Sequence, residues 1–164
     1  NTLTAALATI KENNDIQFIW QTGKYYYPQV TEAVRAAGEL PNLYVTDFIK
    51  DMAAAYAASD LVISRAGAGS ISEFCLLHKP VVLVPSPNVA EDHQTKNALA
   101  LVDKQAAIYV KDSEAEAKLM DVALNTVADD RKLKELSENI AKLALPDSAR
   151  IIAQEVIKLA EAEN

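Results

Sequence analysis

The sequence predicts an α/β fold, a Rossmann-like doubly wound parallel sheet. Short apolar runs alternate with segments of helical spacing. Gly23, Gly38, Pro80 and Pro146 punctuate the junctions, and no composition shift, internal repeat or low-complexity linker divides the 164 residues. Strands that alternate with helices pair in parallel through right-handed crossovers. A chain of this length closes a real core, so residues 1–164 are expected to form a single domain.

The elements follow in order. Leu3, Leu7 and Ile10 recur at helical spacing, which predicts a helix over 2–12 with Asn1 as a plausible cap. Ile16 to Trp20 is a short apolar run ended by Gly23 and reads as a buried strand. Residues 28–37 read as a helix that Gly38 stops. Leu43 to Val45 is a second strand. Asp51 can cap an Ala-rich helix through Ala58. Leu61 to Ser64 is a third strand, followed by a Gly-containing turn and a helix from about Ser70 to Leu77. Pro80 opens a fourth strand, Val81 to Val84. A loop with Pro85 and Pro87 leads to a helix near 92–103 and a fifth strand near Ala107 to Val110. Only helices follow. Leu133, Leu136, Ile140 and Leu143 form one apolar stripe; Ile152, Val156 and Leu159 form another, after a stop at Pro146. Residues 111–118 and 128–138 mix charges, as solvated helical faces do. In doubly wound folds a strand usually precedes the first helix, so the fold expected here lacks its first strand.

Composition removes several function classes. Half the residues are apolar, 24% are charged, and the formal net charge is −7. An acidic chain lacks the basic face that displaces counterions from nucleic acid, so no nucleic-acid partner is expected. No apolar run reaches the roughly 20 residues that span a bilayer, and no N-terminal signal pattern is present. Cys75 is the single cysteine, which rules out a disulfide within the chain and suits a buried, inert filler. His78 and His93 are too few and too scattered for a zinc motif, so no metal site is expected. His78 suits a helix end.

The chemistry concentrates in Ser64-Arg65-Ala66-Gly67-Ala68-Gly69-Ser70-Ile71-Ser72-Glu73, which runs from a strand end through small residues into a helix. Ligands of open α/β sheets bind at the carboxyl ends of strands. A helix starting there turns unpaired N–H groups and a partial positive charge toward the ligand, which suits a diphosphate. Gly67 and Gly69 place no Cβ in its way, and Ser70 adds a hydroxyl in the first turn. Glu73 lies one turn in from Gly69. Its carboxylate can accept two hydrogen bonds from a ribose diol, or it can simply favour the positive helix end. The segment is neither a dinucleotide fingerprint, whose third glycine is missing, nor a Walker loop, which needs Gly-Lys-Ser/Thr.

A second cluster, Glu91-Asp92-His93-Gln94-Thr95-Lys96-Asn97, follows the fourth strand. Gln94 and Asn97 are three apart, so both can face one side of a helix start, and amides suit sugar hydroxyls. Asp92 can equally be only an N-cap and His93 a surface residue. Ser86, His93 and Asp92 lack the Gly-x-Ser-x-Gly elbow of a hydrolase triad. Tyr25-Tyr26-Tyr27 can line a sugar pocket or form an exposed edge or domain contact.

These segments resemble the C-terminal domain of the peptidoglycan lipid-intermediate N-acetylglucosaminyltransferases (MurG type), family 28 members of the two-domain GT-B glycosyltransferases. The resemblance is carried by Ile19-Trp20-Gln21-Thr22-Gly23-Lys24, by Val45 through Tyr56, by Asp60 through Glu73 and by Pro80 through Ala98. It implies a GT-B C-terminal domain that binds UDP-N-acetylglucosamine, with no cofactor and no metal. Ile49 would pack on uracil and offer backbone groups to its edge. Ala68, Gly69 and Ser70 would lie against the diphosphate, with Ile71 and Ser72 in the same donor-binding run, and Glu73 would hold the ribose hydroxyls. Gln94, with His93 beside it, would bind the hydroxyls of N-acetylglucosamine, and Asn97 would support that loop. His93 stands where some members carry glutamine.

The resemblance also implies what lies outside these residues. The family's N-terminal acceptor domain, with its glycine-rich loop and the histidine near the acceptor, is not in this sequence, nor is the Gly-Gly-Ser turn before the first helix. Residues 1–164 are therefore expected to be a soluble fragment, inactive alone. It would be the donor half of a bacterial inverting transferase peripheral to the cytoplasmic face of the inner membrane, which converts lipid I to lipid II in peptidoglycan synthesis. Other GT-B UDP-sugar transferases or epimerases share this donor-side architecture, and a non-catalytic donor-binding subunit is the alternative of a different class.

Overall fold

The structure, a computed structural model, describes residues 2–88 and 92–162. The expected cap Asn1 and the cluster residue Glu91 lie outside the described residues. The chain divides into two compact units, Asn1–Ser59 with Ser113–Asn125, and Asp60–Asp112 with Thr126–Asn164.

The first unit holds α1 (Thr2–Glu12), β1 (Phe18–Gln21), α2 (Gly23–Ala37), β2 (Leu43–Thr46), α3 (Met52–Ala58) and most of α6 (Asp112–Val127). β1 and β2 pair in parallel, Phe18 opposite Leu43 through Gln21 opposite Thr46. Alternation along the strands sends Phe18, Trp20 and Leu43 into a core with Leu7, Ile10, Leu40 and Met120. Ile19 and Tyr44, paired across the strands, face the other way and are 47% and 63% exposed. The strand starts two residues later than the apolar run because Ile16 N–H turns back to the Asn13 carbonyl (3.2 Å). Phe18 N–H then makes the first bond toward the neighbouring strand, to the Asn42 carbonyl (2.8 Å).

Helix α2 begins five residues before the predicted 28–37 and carries Pro28 inside it. Proline removes the bond its N–H would make to the carbonyl four residues back. That carbonyl belongs to exposed Lys24, near the helix start, where water can satisfy it. Gly38, at φ 87°, ends the helix as expected. Asp51 caps α3, its carboxylate accepting from Ala54 N–H (2.9 Å).

The second unit holds β3 (Val62–Ser64), α4 (Ala68–Leu77), β4 (Val81–Leu83), α5 (His93–Val102), β5 (Ile108–Tyr109), α7 (Asp130–Ala141) and α8 (Ser148–Ala162). Its strands run parallel in the order β3-β4-β5. Central β4 is buried at every residue, which is why it reads as an unbroken apolar run rather than an alternating one. α4 and α7 pack together, with Phe74, Leu136 and Ile140 almost fully buried. The Ser137 hydroxyl donates to the His78 carbonyl (2.8 Å). His78 terminates α4 in the left-handed region, a helix end as expected. Asp129 caps α7. In α8 the predicted stripe forms, but Ile152, Val156 and Leu159 are exposed. Among the described residues no helix is long and apolar enough to cross a membrane.

Candidate functional site

β3 ends at Ser64, and three residues later Gly67, in extended backbone (φ −70°, ψ 141°), becomes the N-cap of α4. The helix therefore starts two residues before the predicted Ser70, with Ala68 and Gly69 in its first turn. The turn is closed by Ile71 N–H donating to the Gly67 carbonyl (3.0 Å). Gly67, which has no side chain, supplies no capping bond at this end. The N–H groups of residues 68–70 precede the first intrahelical bond and need acceptors from outside the helix.

The tip is open. Ala68 and Gly69 are exposed, and Ser70 and Ile71 half-buried. A Cβ built on Gly67 or Gly69 would meet nothing within 4 Å. Neither glycine has a positive φ, so the protein's own packing and backbone do not require glycine at either position. Exposed Glu73 sits one turn behind Gly69. The hydroxyl of Ser72, also exposed, donates back to the Ala68 carbonyl (3.0 Å).

The loop before this tip is held by side chains from other segments of the unit. Ala66 is fully buried. Its N–H donates to Gln94 Oε1 (3.3 Å), which also accepts from Ser86 N–H (2.9 Å). Its carbonyl accepts from Asn97 Nδ2 (3.1 Å). Both amides come from the first turn and a half of α5 and are half-buried. Arg65 points across the strand ends: its Nη1 donates to the carbonyls of Val84 (3.1 Å) and Pro85 (3.3 Å) and pairs with Asp112.

The structure thus brings Gln94 and Asn97 together with the turn before Ala68, Gly69 and Ser70. His93 begins α5 and is exposed. Asp92 stands at the N-cap of α5 in the left-handed region (φ 52°), but its side chain makes no capping bond. Ile49 belongs to the first unit. There it is half-buried, with its N–H donated to Gln21 Oε1 (2.8 Å), so its carbonyl and side chain are what it can offer a ligand. Tyr25 and Tyr26 lie in the first turn of α2, exposed, with ring centroids 4.9 Å apart edge to face. Among the described residues no group of three or more His, Cys, Asp or Glu is placed to hold a metal.

Sequence reasoning missed the parts played by Arg65, Ala66 and Ser86. An arginine between a strand end and a run of small residues was the available signal, since a cation there can reach the carbonyls of the adjacent strand end.

The model of the glycosyltransferase family 28 C-terminal domain matches residues 1–152. The UDP-N-acetylglucosamine--N-acetylmuramyl-(pentapeptide) pyrophosphoryl-undecaprenol N-acetylglucosamine transferase of Bacteroides fragilis is 79% identical over 161 residues, covering 98% of this chain and 42% of the relative. The transferase of the same description from Phocaeicola vulgatus is 70% identical over 145 residues, 88% of this chain and 39% of the relative. A crystal structure of Acinetobacter baumannii MurG superposes with a TM-score of 0.80 at 26% identity, covering 96% of this chain and 46% of that one. The chain spans less than half the length of each.

Proposed function

The chain belongs to the glycosyltransferase family 28 C-terminal domain family, and from that premise we propose that residues 1–164 act as one UDP-N-acetylglucosamine-binding domain of a peptidoglycan transferase. The observation that carries this reading is the open, uncapped tip of α4: two glycines that the protein's own packing does not require, and Glu73 one turn behind. The N–H groups of residues 68–70 would hold the diphosphate, helped by the positive helix end. Glu73 would accept from the ribose hydroxyls. Ile71, Ser72 and His93 complete the proposed donor run. Ile49 is a separate expectation, of the first unit alone.

In the transferase, the C4 hydroxyl of the muramoyl sugar on lipid I would attack the anomeric carbon of the donor. The bond to UDP would break, and the α-linkage would become β. A base on the acceptor domain would take the hydroxyl proton. The tip of α4 would stabilise the charge growing on departing UDP, an electrostatic contribution that needs no metal. Such an enzyme would work peripherally at the cytoplasmic face of the inner membrane, where its lipid acceptor is presented.

Calorimetric titration of the chain with UDP-N-acetylglucosamine tests the donor role. Saturable binding that weakens in Glu73→Ala is expected, together with a preference for UDP over TDP through the ribose 2′-hydroxyl. Binding left unchanged by Glu73→Ala, or equal affinity for UDP and TDP, would remove the ribose contact.

A further inference from the structure

The resemblance casts Gln94 as a sugar ligand, but its side-chain carbonyl is already engaged. Oε1 accepts from Ala66 N–H (3.3 Å) and from Ser86 N–H (2.9 Å), joining the loop after β3 to the loop after β4. Asn97, one helical turn on, holds the other side of the same peptide neighbourhood through the Ala66 carbonyl (3.1 Å). Ala66 is fully buried, so neither its N–H nor its carbonyl has water as a substitute. The extended N-cap Gly67 follows Ala66 directly and Ala68, the first residue of α4, comes next, so the clamp fixes where the N–H groups of the helix tip point.

We infer that Gln94 and Asn97 are positioning residues for the diphosphate: α5 sets the tip of α4 through the two polar groups of Ala66. This rests on the donor-binding reading above. Side-chain amides suit the task because one group supplies the acceptor that the N–H needs and the other the donor that the carbonyl needs. The geometry leaves Gln94 Nε2 as the only part of that amide able to serve a sugar hydroxyl in addition.

A sugar ligand and a positioning residue differ in what their loss does to nucleotides that carry no sugar. The experiment titrates the wild-type chain, Gln94→Met and Asn97→Ala with UMP, UDP and UDP-N-acetylglucosamine. Methionine keeps the length of glutamine and removes the acceptor. Each variant is expected to weaken UDP and UDP-N-acetylglucosamine alike, by roughly five- to tenfold, the effect of losing one or two hydrogen bonds. UMP, with one phosphate fewer on the tip, should lose less, so the advantage of UDP over UMP shrinks. A fall in the folded fraction alone would weaken all three ligands by one common factor. Amide exchange gives a second measure: Ala66 and Ser86 N–H should lose protection in Gln94→Met and regain it in Gln94→Glu, which restores the acceptor. If UDP affinity holds while UDP-N-acetylglucosamine alone weakens, Gln94 is a sugar ligand and the inference is overturned. An unchanged UDP-to-UMP ratio in both variants overturns it as well. A wild-type chain that binds none of the three would instead overturn the donor-binding reading on which it rests.

Discussion

The Arg65 guanidinium reaches Asp112 across the carboxyl ends of the second unit's strands. The same Nη1 donates to the carbonyls of Val84 (3.1 Å) and Pro85 (3.3 Å). Arg65 follows β3, Val84 follows β4, and Asp112 begins α6 just beyond β5. One side chain therefore laces together three strand ends beside the open tip of α4. Its two kinds of partner differ in energetic weight. The ion pair is substantially exposed, and such pairs contribute between nothing and about 1 kcal/mol. The carbonyls lose their donor outright if the guanidinium goes. Arg65→Met should therefore cost roughly 1–3 kcal/mol, and Asp112→Asn less than about 1 kcal/mol. Urea denaturation of both variants measures the difference. Equal losses would mean that the carbonyls do not depend on Arg65.

Gly69→Ala should move folding and binding in opposite directions. Position 69 is in the first turn of α4, has no positive φ, and offers a Cβ open space. Alanine is favoured over glycine in a helix by up to about 1 kcal/mol. Melting temperature should rise or hold. UDP affinity should fall, because the new methyl stands where the diphosphate would approach the backbone. Calorimetry on one sample reads both. A stabilised variant that binds UDP as tightly as the wild type would place the phosphates elsewhere.

The strand–turn–helix from Val62 to Leu77 was legible in the sequence because its signals are local: an apolar run, small residues, then helical periodicity. Its helix starts two residues before the expected Ser70, because extended Gly67 takes the N-cap position with no capping side chain to mark it. Helix α2 runs through Pro28 for a different reason: an exposed helix start tolerates the missing bond. The clamp on Ala66 was not legible. Gln94 and Ala66 are 28 residues apart, and no periodicity records which backbone groups a side-chain amide will meet. The separation of the strands into β1-β2 and β3-β4-β5 is likewise a matter of long-range pairing, which element order alone does not encode.

Asn42 should be intolerant of change in a way that depends on pH. It is 4% exposed, and its Nδ2 donates to the carbonyls of Ile10 (2.9 Å), Asn13 (3.0 Å) and Ile16 (3.1 Å), tying the end of α1 and the turn after it to the start of β2. Asn42→Ala strips the shared donor from these carbonyls and should cost about 3 kcal/mol. Asn42→Asp should cost more at neutral pH, because a carboxylate cannot donate and its charge would face three carbonyl oxygens. Protonation restores one donor. The folded-state pKa of the new aspartate would thus lie above its unfolded value, and the variant should recover stability relative to wild type as pH falls. Urea midpoints at acid and neutral pH check the sign. A deficit that is the same at both would show that the carboxylate is not buried against these groups.

Cys75 should behave as a shielded thiol. It is buried in α4, 5% exposed, beside Phe74 in the core. Burial pushes its pKa above the ordinary thiol value of 9.0, because desolvation penalises the thiolate. The thiolate is the nucleophile, so a thiol-specific disulfide reagent at mildly alkaline pH should react slowly with the folded chain and quickly in denaturant. The linkage has a definite sign. A raised folded pKa means that the stability tied to the protonated thiol is complete below 9.0, the ordinary value for an unfolded chain. It is lost as pH climbs from there through the higher folded value, because the unfolded state releases its proton first. Cys75→Ala removes that loss, although the cavity it leaves lowers stability at every pH. The wild-type advantage over Cys75→Ala should therefore be constant up to about pH 8 and shrink above it. Parallel denaturation curves across that range decide the matter: an advantage that grew with pH, or a folded-state thiol as reactive as the unfolded one, would mean that Cys75 reaches solvent and that α4 does not bury this face.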